Sequence, residues 1–167
     1  MKTIRAAVIT ISDKGYTGQR EDVSGPVLAD LVQDLGADVV RRNIVPDERE
    51  EILRLMVCLA DEVGVDLIMT TGGTGVTPRD VTPEATRAAI EREMPGLAEA
   101  LRFEGYRRTP LAVVSRGVAG IRGQTLIVNL PGNPNAVREG METLSPILPH
   151  AIQMLRGEDT EHNHVDH

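Results

Sequence analysis

Continuous apolar runs alternate along the chain with longer amphipathic segments. Residues 4–12, rich in Ile, Val and Ala, read as a buried strand. The polar stretch 13–22, with Gly15 and Gly18, predicts a loop. Gly25-Pro26 opens a helix to about residue 35, with Pro26 in the first turn, where its missing N–H costs nothing; Gly36 stops it. Residues 37–45 predict a second strand. Asp47-Glu48-Arg49-Glu50 has the pattern of a capping box, and the helix behind it carries Ile52, Met56, Leu59, Ala60 and Val63 at helical spacing. Residues 65–70 suit a central parallel strand that ends in Thr71-Gly72-Gly73-Thr74-Gly75. Thr82-Pro83-Glu84 predicts a cap and first turn, and Pro95-Gly96 breaks that helix and starts another reaching about residue 104. Residues 111–115 and 125–130 predict two more strands, separated by the Gly-rich stretch 117–123. Pro131-Gly132-Asn133-Pro134 is a tight turn into a last helix reaching about residue 155.

Strand alternating with helix predicts one α/β domain over residues 1–156 with a mainly parallel sheet. The polar tail 157–167 is expected to be disordered. In such a sheet, ligands bind beyond the carboxyl ends of the strands, near the switch in strand order. The loops 12–22, 46–47, 72–80, 115–123 and 131–134 are all expected at that edge.

Composition narrows the functions. The 18 Lys and Arg against 25 Asp and Glu give a net charge of −7, unsuited to general nucleic-acid binding. Aromatic content is 2%, without Trp, so stacking of bases on an aromatic platform is not expected. The single cysteine, Cys58, leaves no internal disulfide and fits a reducing compartment. No apolar run approaches the roughly 18 residues that span a bilayer. Residues 1–5 lead straight into a strand pattern rather than a signal peptide. A cytoplasmic protein without membrane contact is expected.

The candidate chemistry lies in the loops. Glycines in Thr71–Gly75 let backbone N–H groups turn toward a phosphate, and Thr71 and Thr74 add hydroxyl donors. The stretch is neither a P-loop nor a dinucleotide fingerprint, and a ligand-free tight turn is the alternative. Asp80 could hold Mg²⁺ against a substrate phosphate, or close an Asx-turn. Asp47 is explained by its place as a helix cap. Arg79, Arg116 and Arg122 are candidate phosphate clamps or plain surface arginines. Asn133 caps the last helix with Pro134 at its first position, a geometry that also aims free N–H groups at an anion. The four histidines cluster near the C-terminus, and Cys58 sits mid-helix, so no Ser–His–Asp or Cys–His set is in view. Reactions that rest on positioning and a metal, such as phosphoryl or nucleotidyl transfer, fit better.

Several separated motifs resemble one family. Thr71-Gly72-Gly73-Thr74-Gly75 with Arg79-Asp80-Val81-Thr82-Pro83-Glu84 looks like the signature of the MogA/MoaB molybdenum cofactor biosynthesis family. Ser12-Asp13, Glu21-Asp22 and Ser24-Gly25-Pro26 resemble its first loop. Gly120-Ile121-Arg122-Gly123 and Asn129-Leu130-Pro131-Gly132-Asn133-Pro134-Asn135-Ala136 resemble its closing segment. The match covers about residues 4 to 156. It implies a three-layer α/β/α fold, a homotrimer, and adenylyl transfer from ATP to the terminal phosphate of molybdopterin with Mg²⁺; the alternative is a molybdopterin-binding module of the same fold without transferase activity. The product would pass to a molybdenum insertase. The resemblance places the functional carboxylates, also the Mg²⁺ candidates, at Asp47 and Asp80. It assigns the pterin-phosphate and nucleotide surroundings to Ser12, Asp13, Ser24, Gly25, the Thr71–Gly75 loop, Arg79, Ser115, Gly123 and the Pro131–Pro134 turn. Gln124 departs from the pattern: some relatives carry Ser there, so a hydroxyl contact becomes an amide.

Overall fold

The most apolar segments become the strands with helices on both faces. β1 (Arg5–Ile11), β3 (Leu67–Thr71) and β6 (Thr125–Leu130) are buried along nearly their whole length. β2 (Asp38–Val45) pairs only with β1 and carries mostly exposed or half-buried residues, as an edge strand can. With β4 (Arg92–Glu93) and β5 (Ala119–Arg122) they form a six-stranded sheet in the order β2-β1-β3-β6-β5-β4. β2, β1, β3 and β6 run parallel; β5 is antiparallel to both its neighbours. The computed structural model describes residues 2–158. The expectation of a disordered tail falls almost wholly outside the described residues.

Period-two alternation divides the strand residues between two cores. Ala6, Val8, Leu67, Met69, Leu126 and Val128 face one layer, built by α2 (Ser24–Asp34), α5 (Pro95–Arg108), α6 (Pro134–Leu144) and α7 (Leu148–Leu155). Ala7, Ile9, Ile68 and Ile127 face the other, built by α3 (Arg49–Val57) and α4 (Thr82–Ala89). This is the expected three-layer α/β/α arrangement. After β1 the chain turns to the α2 layer; after β3 it turns to the α4 layer. The carboxyl ends of these adjacent strands therefore diverge and open a crevice at the switch point.

Several elements differ from the sequence reading. The stretch 13–22 is not all loop: α1 (Asp13–Thr17) forms a single short helix, because the Ser12 Oγ accepts from Gly15 N at 3.0 Å and Gly18 closes the turn at φ 80°. Residues 111–115 form no strand. Pro110–Val114 is a 3₁₀ helix whose Leu111 and Val113 stay exposed, with no sheet neighbour to pair them. The strand β5 lies instead in the stretch read as Gly-rich loop. A Cβ at Gly120 would stand 2.6 Å from the Arg92 carbonyl oxygen, so the missing side chain is what admits β4 beside it. The last helix is two, α6 and α7, broken near Pro146. No helix among the described residues is long and apolar enough to cross a membrane.

Arg156, just after α7, clasps the segment that leads into β1. The Arg156 side chain, 8% exposed, donates to Asp66 Oδ2 (2.6 Å) and to the carbonyls of Lys2 (2.7 Å) and Thr3 (3.0 Å). Asp66 Oδ2 also accepts from Arg5 N at 2.8 Å. Burial pushes the Asp66 carboxyl up, but the Arg156 and Arg5 donors outweigh it and hold the group below its ordinary value. A depressed carboxyl stabilises the fold above its unfolded pKa and loses that contribution as pH falls through the folded value. Arg156→Ala leaves the Asp66 carboxylate with the Arg5 amide but no charged partner and is expected to destabilise the protein by about 3 kcal/mol, read from urea unfolding. Its acid-unfolding midpoint should move to higher pH.

Candidate active site

Three loops meet at the crevice, and short-range bonds bind each to the next. Asp13, at the start of α1, and Asp47, after β2, form a reciprocal pair: Asp13 N donates to Asp47 Oδ2 and Asp47 N donates to Asp13 Oδ1, both at 2.9 Å. This corrects the capping-box reading. The residue before α3 is Glu48, it makes no side-chain cap bond, and the Asp47 carboxylate turns away from the helix toward the crevice. Neighbouring Ser24 and Gly25 open α2, where Gly25 N donates to Asp22 Oδ1 at 2.9 Å and a Cβ would collide with the Asp22 and Thr10 side-chain oxygens.

The glycine loop after β3 approaches other backbone too closely for side chains. Gly72 has φ 104°, and a Cβ there would overlap the Ile11 carbonyl oxygen. Gly73, at φ 68°, places its would-be Cβ 3.0 Å from Asp47 Oδ1 and against the Thr82 hydroxyl. Gly132, in the turn after β6, stacks with its would-be Cβ 3.3 Å from Gly72 Cα. The Thr71 hydroxyl donates to the Pro131 carbonyl at 2.7 Å, so its single proton holds the two turns together rather than meeting a phosphate. Thr74 is buried, has no side-chain partner among the described residues and faces the cavity below. Its hydroxyl is free to donate.

Asp80 closes this loop. Its Oδ2 accepts from Thr77 N (2.9 Å) and Thr77 Oγ1 (2.8 Å), and would lie 2.8 Å from a Cβ at Gly75. Arg116 braces the loop from the sheet side: it donates to the carbonyls of Gly75 and Asp80, each at 2.8 Å, and to Glu84 at 2.6 Å. Arg79 braces it from the other side through Asp13 and Glu48. The arginines read as phosphate clamps are thus committed to protein acceptors. Arg122 is elsewhere, bonded to Asp61 and the Ala89 carbonyl. Gly123 and Gln124 form the β5–β6 turn, which precedes β6 and so lies at the opposite edge of the sheet. They are not brought to the crevice, and the departure at Gln124 touches nothing there.

Beside the glycine loop lies a cavity of about 630 Å³, within the usual size for a small-molecule site. Gly73, Thr74, Gly75, Asp80, Ser115 and the segment from Pro131 to Asn133 line its polar end. Asn133 caps α6, accepting from Asn135 N at 2.8 Å, with Pro134 as the first helical residue, as the sequence predicts. The apolar wall, from α5, the 3₁₀ helix and α6, was not foreseen. Its signal was Gly105 and Gly140, each costly mid-helix without a packing reason. A Cβ at either would stand under 3 Å from Ala112 Cβ (2.8 Å) or Leu130 Cδ2 (2.9 Å).

Negative charge accumulates where the three loops meet. Burial raises the pKa of Asp47, and the nearby Asp13 and Asp80 charges add to the rise against the pull of the Asp13 amide and Arg79. Asp13 moves the other way, held low chiefly by its Arg79 bond. Among the described residues no lysine or arginine side chain donates to the carboxylates of Asp47 or Asp80. Carboxylates so placed could hold a cation together with oxygens of a bound phosphate. A raised carboxyl penalises the fold progressively as pH rises from its unfolded pKa to its folded one. Asp47→Asn keeps an oxygen for Asp13 N and removes that penalty. Its Tm is therefore expected to exceed the parent's at neutral pH and to match it at the acid end of the carboxylate range, as followed by calorimetry across pH.

Comparison with known proteins identifies the family. Residues 7–150 match the family described as "Probable molybdopterin binding domain". A molybdopterin adenylyltransferase of Helicobacter pylori is 38% identical over 94% of this chain and 90% of its own. The molybdenum cofactor synthesis protein cinnamon of Drosophila melanogaster is 44% identical over 95% of this chain, which spans only 26% of that longer protein. The solved structure of the molybdopterin biosynthesis enzyme MoaB from Thermus thermophilus superposes with a TM-score of 0.88 at 47% identity, covering 93% of this chain and 98% of the other. A shared fold, a match through every loop of the crevice and this identity lead to one conclusion: the chain belongs to the molybdopterin-binding domain family of molybdenum cofactor biosynthesis.

Proposed function

We propose that this protein is a molybdopterin adenylyltransferase. The observation that carries the reading is the meeting, at one switch point, of a glycine loop with open backbone N–H groups, a cavity of about 630 Å³ and two carboxylates without a basic partner. An oxygen of the terminal phosphate of molybdopterin attacks the α-phosphorus of ATP. The new P–O bond forms as the bond from the α-phosphorus to the bridging oxygen breaks, and pyrophosphate leaves. The backbone N–H groups of Gly73, Thr74 and Gly75 and the Thr74 hydroxyl receive phosphate oxygens, while Ser115 and the Pro131–Asn133 turn shape the other side. Asp47 and Asp80 would hold Mg²⁺, which, when bound, offsets the charge of the phosphates. Little else is asked of the protein, since transfer of this kind rests on positioning and electrostatics rather than on a protein nucleophile.

Exposed Phe103, Tyr106 and Leu111 offer an apolar surface on which the chain would assemble as a homotrimer. A cytoplasmic setting and hand-over of the product to a molybdenum insertase complete the reading. The test is incubation with molybdopterin, ATP and Mg²⁺. Adenylylated molybdopterin and pyrophosphate should appear in equal amounts. Molybdopterin binding without product would overturn the transferase and leave a binding module of the same fold.

A further inference from the structure

Asp13 belongs to the loop after β1, Asp47 to the loop after β2, and Arg79 to the loop after β3. Asp13 alone touches both of the others. Its Oδ1 accepts from Asp47 N (2.9 Å) and from an Arg79 terminal nitrogen (2.9 Å), and its Oδ2 accepts from Arg79 Nε (3.0 Å). Arg79 extends the clasp to Glu48 at 2.9 Å. Asp13 N returns the bond to Asp47 Oδ2 and leaves Oδ1 on the Gly73 side. Three donors on two carboxylate oxygens leave Asp13 little capacity for a phosphate or a cation. Arg79 immediately precedes Asp80, so whatever holds Arg79 also limits where Asp80 can stand.

We propose that Asp13 is a positioning residue: by tethering Asp47 through its backbone and Asp80 through Arg79, it holds both carboxylates in the places from which they would take a divalent cation. This rests on the reading of Asp47 and Asp80 as the cation-holding pair. It removes Asp13 from the groups that contact substrate and explains how three loops from three strands are held in one geometry by bonds among themselves. The bidentate fork of Arg79 supplies direction as well as charge, which a lysine could not.

The test uses the whole protein, with Mn²⁺ standing in for Mg²⁺ and α,β-methylene-ATP as the nucleotide. Free Mn²⁺ is followed by electron paramagnetic resonance, beside steady-state adenylylation. Asp13→Ala is expected to weaken Mn²⁺ binding about tenfold or more and to lower kcat about 10²-fold, with the KM for molybdopterin unchanged. Asp13→Asn keeps an oxygen for Asp47 N and should recover most of the Mn²⁺ affinity; Arg79→Gln, which opens the other arm, should match it. Parent-like Mn²⁺ affinity and kcat in Asp13→Ala would overturn the proposal. So would an Asn variant as weak as the Ala variant, since the charge of Asp13 would then itself meet the cation. If Asp13→Ala does not fold, the proposal stands on equal, small losses in Asp13→Asn and Arg79→Gln, and a much larger loss in the former overturns it. Asp47→Asn separates the two readings: undiminished Mn²⁺ binding there would refute the carboxylate pair itself, whereas weakened binding there with an unaffected Asp13→Ala refutes only the positioning.

Discussion

An Asp80→Asn protein is expected to fold like the parent and to lose about 10²- to 10³-fold in kcat for adenylyl transfer, the scale on which preorganised electrostatic groups act. Asp80 does two things that this substitution separates. Its Oδ2 accepts from the Thr77 amide and hydroxyl, which shapes the loop. An asparagine oxygen accepts both bonds equally well. The charge is what disappears, and with it half of the pair whose mutual repulsion helps to raise the Asp47 carboxyl. Stability should therefore change little, while dependence of the rate on Mg²⁺ concentration weakens. The measurement is product formation over a Mg²⁺ series with thermal unfolding alongside. Undiminished turnover would make Asp80 a loop-closing residue and nothing more.

Gly72→Ala is expected to be the more damaging change to the fold, at about 4 kcal/mol. Backbone strain at a left-handed position contributes about 1–3 kcal/mol, and forcing a methyl into packed structure about the same again. Gly72 combines both burdens. It has φ 104°, its would-be Cβ falls on the Ile11 carbonyl oxygen, and every atom it would meet is Ile11 backbone at the end of β1, which cannot step aside as a side chain can. It also donates to Leu130 O at 3.0 Å and accepts from the Thr82 hydroxyl at 2.9 Å, so a shift here breaks two joints at once. Gly123→Ala is the control: φ is 58°, nothing lies within 4 Å, and a loss of about 1 kcal/mol is all that is expected. Urea unfolding of the two variants side by side decides the matter. Equal losses would mean that backbone conformation, not the close approach at Ile11, governs Gly72.

Local chemistry was legible where a residue's role is met within its own segment. The inner strands were read from Ile and Val runs. The Asn133 cap and Pro134 start were read from a four-residue turn. Errors arose where a partner distant in sequence decides. The run at 111–115 has strand composition, yet it pairs with no strand of the sheet and winds into a 3₁₀ helix packed beside α5. The glycines at 117–123 suggested a loop, but Gly120 is the residue that lets a strand lie close to Arg92. Asp47 has the spacing of a cap, and capping is a local rule; its actual partner, Asp13, lies 34 residues away.

The order of apolar segments and the residues with no tolerance for a side chain are properties of the chain as written. They suffice for an α/β/α domain with a tight glycine loop at the carboxyl edge of its sheet, because burial and backbone sterics act on each segment in turn. The family motifs added the reaction. What folding alone settled is which charges meet. The strand order β2-β1-β3 sets Asp13, Asp47 and the Asp80 loop side by side, commits Arg79 and Arg116 to holding loops, and carries Gly123 to the far edge. Electrostatic roles depend on distances across the sheet, and those exist only once non-adjacent strands have paired.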